Sequence, residues 1–199
     1  MRFFNTTIYL NTFFRKGVPN IDGTLGYNSI ICGFQGSGKN YFGTFMLFNE
    51  FQDYKIKTNI HSLQFKHVEY FTKLDNILDD TEEGVVYLID EISKKYNKQS
   101  KTDDRFYSWL QQSRKRKRRV YLITQEIKEV PMWLRRPIKF IYFNHHIFKD
   151  FFLTLKCDAQ NGVLDETLEW NYPVLNKFIY KRNKRIANLY DTFEPIPEL

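Results

Sequence analysis

Residues 28–32 (NSIIC), 85–89 (VVYLI), 120–124 (VYLIT) and 138–143 (IKFIYF) are short, nearly unbroken apolar runs. A strand with one face in water alternates, so runs without a polar face predict strands buried on both sides, as in a parallel sheet. Residues 54–60 (YKIKTNI) do alternate and predict one further strand. Residues 38–51 place Phe42, Phe45, Met46 and Phe48 at helical spacing, and residues 103–117 do the same with Phe106, Trp109 and Leu110. A weaker helical pattern covers residues 71–78. Strands alternating with helices predict an α/β fold, with a mainly parallel central sheet flanked by helices.

Residues 1–27 are Phe-rich but punctuated by Gly17, Pro19, Gly23 and Gly26, and read as an irregular or strand-turn lead-in. No internal repeat or low-complexity linker divides the 199 residues. They read as one domain, with a lead-in at 1–27, a core at 28–145 and a C-terminal extension at 146–199.

Composition narrows the classes. Hydrophobic residues make up 42% of the chain, including 19 Phe and 13 Tyr, too much apolar material for a disordered protein. Cys32 and Cys157 are too few for a disulfide framework and lack metal-ligand spacing, so a reduced intracellular chain is expected. Charges interrupt every longer apolar run, and the N-terminus lacks the apolar centre of a signal peptide, so no stable membrane insertion is expected. The net charge of +7 favours polyanionic partners in general. Its distribution says more: Arg114 to Arg119 are consecutive basic residues, and Lys181, Arg182, Lys184 and Arg185 form a second cluster.

Between the first strand and the first helix lies GFQGSGKN, formed by Gly33, Phe34, Gln35, Gly36, Ser37, Gly38, Lys39 and Asn40. It fits the G-x-x-x-x-G-K phosphate-binding loop. Glycines let backbone N–H groups turn inward around phosphate oxygens, and Lys39 is expected to reach the β and γ phosphates. These residues and the following Tyr41 are the expected nucleotide contacts. Asn40 stands where Ser or Thr usually offers a hydroxyl to Mg²⁺; an amide oxygen is also a hard ligand and can substitute. The run at 85–89 ends in Asp90 and Glu91. Asp90 is expected to hold Mg²⁺ with Asn40, and Glu91 to orient and polarise the attacking water. Gln125 ends the run at 120–124 at the same predicted sheet edge, where an uncharged amide can sense the γ phosphate.

This order of motifs resembles the FtsK/HerA superfamily of DNA-translocating ATPases. Within it, SRKRKRRVYLITQE and the closing LYDTFEP are similar to the genome-packaging ATPases of membrane-containing icosahedral viruses and to the Zot-like ATPases of filamentous phages. The resemblance covers residues 28 to 145. It implies a RecA-like P-loop NTPase domain using ATP and Mg²⁺, a homo-oligomeric ring, and double-stranded DNA gripped through its phosphates without sequence preference. It also implies a capsid vertex or portal-like partner, in the host cytoplasm or the virion. Members commonly carry an arginine finger just before the strand that ends in Gln, and Arg114 and Arg116 are the candidates here. The basic run is expected at the domain surface; a solvated helix end and phosphate contacts are its other readings.

His145 and His146 lack partners at ligand spacing and read as structural or surface residues. Tyr107 and Trp109 read as packing residues first and base-stacking residues second. An ATP-driven packaging motor is the leading expectation. A Zot-like extrusion ATPase, which generally carries a membrane segment that this sequence does not show, and a nucleotide switch with little turnover are the alternatives.

Overall fold

The computed structural model describes residues 6–9, 25–164 and 170–191, with backbone only at 6–9, 164 and 170. Most of the lead-in and the end of LYDTFEP lie outside the described residues.

The chain builds a nine-stranded sheet in the order β1-β11-β8-β7-β2-β6-β5-β3-β4. Its parallel half consists of β2 (Asn28–Cys32), β3 (Ile56–Thr58), β4 (Val68–Tyr70), β5 (Val86–Ile89), β6 (Arg119–Thr124) and β7 (Ile138–Phe148). The unbroken apolar runs have the expected cause. Ile31 of β2 packs beneath helix α1 (Lys39–Glu50) with Leu88 and Ile123. Ile30 packs on the other face with Val120 and Leu122, against α2 (Asp75–Leu78), α3 (Ile92–Lys95), α4 (Asp104–Gln111) and α5 (Met132–Arg135).

The sheet does not stop at residue 145. β7 continues to Phe148 and turns into β8 (Phe151–Asp158), which pairs antiparallel with β7 and with β11 (Val174–Lys181). β1 (Thr6–Tyr9) lies parallel to β11 at the edge, and a two-stranded sheet of β9 (Val163–Leu164) and β10 (Trp170–Asn171) stands apart. After β11 the chain forms α6 (Lys184–Ala187), which packs on α1.

Two expectations change. The helix predicted over residues 103–117 ends at Gln111, and Lys117 adopts a left-handed φ of 51°. The basic run also divides. Arg114, Lys115 and Lys117 are exposed, but Arg118 and Arg119 are buried, contrary to the surface position expected for the whole run. Arg118 donates to the carbonyls of Glu82 and Asp80, and its guanidinium lies 5.2 Å from the Trp109 ring centroid. Arg119 stacks 4.7 Å over Tyr121. Carbonyl acceptors and ring faces let these cations leave water.

Candidate nucleotide site

Because β2, β5 and β6 are parallel, their C-terminal ends share one edge. That edge carries Gly33–Asn40, Asp90 with Glu91, and Gln125, so the three expected parts come together. Gly33 N–H donates to Gln125 O at 3.1 Å, tying the start of the loop to the end of β6. A side chain at Gly33 would meet Ser37 Oγ at 2.4 Å and Asn144 O at 2.5 Å, so only glycine fits. Gly38 has φ 82° and lies under Phe152, where a Cβ would come within 2.6 Å of the ring.

Gly38 is the N-cap of α1 and supplies no side-chain cap, and the first turn holds no acidic residue. The N–H groups there and the positive end of a 12-residue helix are left for an anion. Lys39 is half-buried at this point.

Asn40 Nδ2 donates to Asp90 Oδ2 at 2.6 Å, and Asn40 Oδ1 is buried with no hydrogen-bond partner. Asp90 is 2% exposed; burial pushes its carboxyl up to about 6, against the Asn40 and Glu91 N–H donors and the Lys39 ammonium, which pull it down. An orphaned amide oxygen beside a buried carboxylate suits a hard cation such as Mg²⁺. Among the described residues no cluster of three or more His, Cys, Asp or Glu forms a self-sufficient metal site. Such an ion would therefore rely on phosphate oxygens and water for its remaining ligands, as Mg²⁺ commonly does.

Asn59, one residue past β3, carries no local motif, and sequence reasoning missed it. Fully buried, it accepts from Asp90 N–H at 2.8 Å and donates to Asp90 O at 3.1 Å, clamping the end of β5. Glu91 then takes φ 54° and ψ 41°, a left-handed conformation that costs a residue with a side chain about 1 kcal/mol or more. The kink turns its carboxylate out of the strand, where it pairs with Lys94. Beside Glu91 and Gln125 an open cleft runs between Ser93–Gln99 and Glu126–Glu129.

A second missed element is the polar network behind the loop. Asn144 Nδ2 donates to Gly38 O at 3.0 Å, and Asn144 Oδ1 accepts from Thr154 Oγ1 at 2.6 Å. Tyr180 Oη lies 3.1 Å from Thr154 Oγ1 and 3.3 Å from Asn144 Nδ2. The β7–β8–β11 extension thus holds the loop in place.

Arg114 and Arg116 sit at the opposite end of β6, about 20 Å from Gln125 at strand rise. Arg114 is exposed, and Arg116 donates to Thr81 O at 3.1 Å. Trp109 packs against Tyr87 and Phe106, and His145 and His146 are exposed with no metal-type cluster around them among the described residues.

No protein-family model matches the chain, and no curated protein matches it in sequence. Solved structures do. The N-terminal domain of zonular occludens toxin from Neisseria meningitidis matches with TM-score 0.61 and 17% identity, over 84% of this chain and 100% of that one. The genome packaging NTPase B204 from Sulfolobus turreted icosahedral virus 2, in complex with sulfate, matches with TM-score 0.52 and 11% identity, over 75% of this chain and 98% of that one. The same NTPase in complex with ATP-gammaS matches with TM-score 0.51 at the same identity and coverage. The fold is that of the RecA-like P-loop ATPases. In such a fold the C-terminal sheet edge is where a nucleotide binds, the edge that carries Lys39, Asp90 and Gln125 here. Among the described residues no helix is long and apolar enough to cross a membrane.

Proposed function

We propose that this chain is an ATP-hydrolysing motor that moves double-stranded DNA, and that its task is to drive a viral genome into a preformed capsid. The observation that carries the reading is the meeting of the Lys39 loop, the Asn40–Asp90 pair, Glu91 and Gln125 at one edge. The uncapped first turn of α1 and Lys39 take the phosphates. Asn40 Oδ1 and Asp90 hold Mg²⁺, which when bound neutralises charge on the β and γ phosphate oxygens. Glu91, kinked out of β5, orients the attacking water and accepts its proton, while Gln125 senses the γ phosphate. The open cleft beside Glu91 and Gln125 leaves room for an arginine from the next subunit of a ring, and Arg114 and Arg116 are its candidates. Exposed basic residues grip DNA phosphates, and a capsid vertex protein anchors the ring.

The superposition on the N-terminal domain of zonular occludens toxin, with the higher TM-score and coverage, favours a second reading: a motor of the Zot-like kind that drives phage extrusion. ATP hydrolysis with and without double-stranded DNA tests the motor. DNA should stimulate turnover in the wild type, and Lys39→Ala should abolish ATP binding. ATP binding without turnover under either condition would leave a nucleotide switch instead.

A further inference from the structure

The second basic cluster, Lys181, Arg182, Lys184 and Arg185, has no part in the mechanism above. Topology carries it to the phosphate-loop edge. β11 runs in the same direction as β2, three places away on the side opposite β6. Register sets its height. Cys32, the last residue of β2, pairs with Phe143, whereas β7 runs on to Phe148, which pairs with Phe151, which in turn pairs with Lys181. Lys181 and Arg182 therefore stand beyond the end of β2, level with the loop that begins at Gly33.

The backbone here is pinned against α1. Asn183 N–H donates to Tyr41 Oη at 2.8 Å, and Arg182 N–H donates to Asp150 O at 2.7 Å. Tyr41 is two residues past Lys39, in the first turn of α1. From Asn183 the chain crosses α1 to the far side of the site, where Gln64 N–H donates to Leu189 O and Asp191 N–H to Ser62 Oγ, both at 2.8 Å. Arg182 is exposed, and its guanidinium makes no ion pair among the described residues. It lies close enough to the hydroxyls of Tyr41 and Tyr190 to oppose the upward push that burial gives both.

An arginine with no ion pair among the described residues, beside an uncapped helix start, meets an anion with charge-assisted hydrogen bonds. Asp90, Glu91 and Gln125 belong to strands on the other side of β2, so the terminal phosphate lies on that side and the nucleoside end on this one. We propose that Arg182 binds the nucleotide from within its own subunit, at the phosphate nearest the nucleoside. This rests on the nucleotide-site reading above. The basic cluster is then divided in function: Arg182 reads the nucleotide, while Lys184, on α6, does not.

Calorimetric titration of the full chain with ADP and with ATP tests this, using wild type, Arg182→Ala, Arg182→Lys, Lys184→Ala and Lys39→Ala. Arg182→Ala should weaken ADP and ATP by the same factor, about tenfold. Arg182→Lys should fall between it and the wild type, Lys184→Ala should bind normally, and all should melt like the wild type without nucleotide. Normal affinity of Arg182→Ala, in a protein whose wild type binds ATP and whose Lys39→Ala does not, overturns the inference and leaves the site reading standing. A loss confined to ATP overturns it too, because Arg182 would then serve the terminal phosphate. Reduced retention of double-stranded DNA with unchanged nucleotide affinity also overturns it and gives Arg182 to DNA. A wild type that binds no nucleotide sinks both readings.

Discussion

Asn40 Nδ2 donates to Asp90 Oδ2 at 2.6 Å, joining the residue after the loop lysine directly to the end of β5. The bond fixes which way the amide faces, since with the nitrogen on Asp90 the oxygen is left buried without a hydrogen-bond partner. Asn40→Ala removes that oxygen and leaves the phosphate cradle untouched. Affinity for Mg-ATP should fall about tenfold, while affinity for ATP in excess chelator should stay within about twofold. Equal losses with and without the metal would reduce Asn40 to a support for Asp90. Asn40→Thr, which supplies the hydroxyl usual at this position, should keep most of the Mg-ATP affinity.

Asp90 links the site to stability. Burial raises its carboxyl from 3.8 to about 6. Between those values the folded protein holds a proton that the unfolded chain has released, so stability falls as pH rises through this window, by roughly 2–3 kcal/mol in total. Asp90→Asn removes the buried charge. Without nucleotide it should melt roughly 5 °C above wild type near pH 7.5, with the gap closing toward about pH 4. Saturating Mg-ATP should reverse the order near neutral pH, because an ionised carboxylate holds the ion more strongly than a neutral amide. A melting difference independent of pH would mean that Asp90 is ionised at no unusual cost.

Asn144 tests whether the antiparallel extension supports the loop. Asn144→Leu keeps the volume but cuts the bond to Gly38 O and takes the Asn144 partner from Thr154 and Tyr180, whose hydroxyls are left only each other. Leaving such groups unsatisfied costs about 1–3 kcal/mol. Chemical denaturation should show that loss, and ATP affinity should fall with it. Thr154→Val keeps the bond to Gly38 and should lose stability while binding ATP nearly as well as wild type. If both variants bind ATP normally, the extension is a scaffold without influence on the loop.

The parts legible in the sequence are those whose cause is local. Runs such as VYLI are apolar throughout because Tyr87 and Ile89 face one helical layer while Val86 and Leu88 face the other. The loop glycines and the carboxylates after β5 likewise announce themselves by spacing. Asn59 and Asn144 do not, because a lone asparagine, after a strand or within one, has no pattern of its own and each acts on backbone at least 31 residues away. Arg118 and Arg119 were hidden by their neighbours: a run of charge reads as surface, and the carbonyls that receive Arg118 lie 36 and 38 residues upstream. The helix predicted to residue 117 stops at Gln111 for a related reason, since the chain must reverse to begin β6 at Arg119.

That division of the basic run sharpens the prediction about assembly. Arg114 and Arg116 stand at the far end of β6 from their own Gln125, too distant for any side chain to bridge, so a catalytic arginine here has to act on a neighbour's nucleotide. Arg114→Ala and Arg116→Ala should fold and bind ATP like wild type and lose turnover only in the assembled ring. Arg114 is the better candidate, because Arg116 is committed to Thr81 O. Arg118→Ala should behave differently, destabilising the isolated subunit, because its buried guanidinium serves two carbonyls and two rings. Glu91→Gln should retain ATP binding and lose turnover about a hundredfold, since the amide keeps the shape without the base. Mixing Glu91→Gln with Arg114→Ala protein should recover part of the activity, as some interfaces then pair an intact Glu91 with an intact arginine. Mixed rings that form, shown by pull-down of differently tagged subunits, yet stay inactive would remove Arg114 from the neighbour's catalytic site. A shallower salt dependence of DNA binding in Arg114→Ala would then assign the arginine to DNA phosphates.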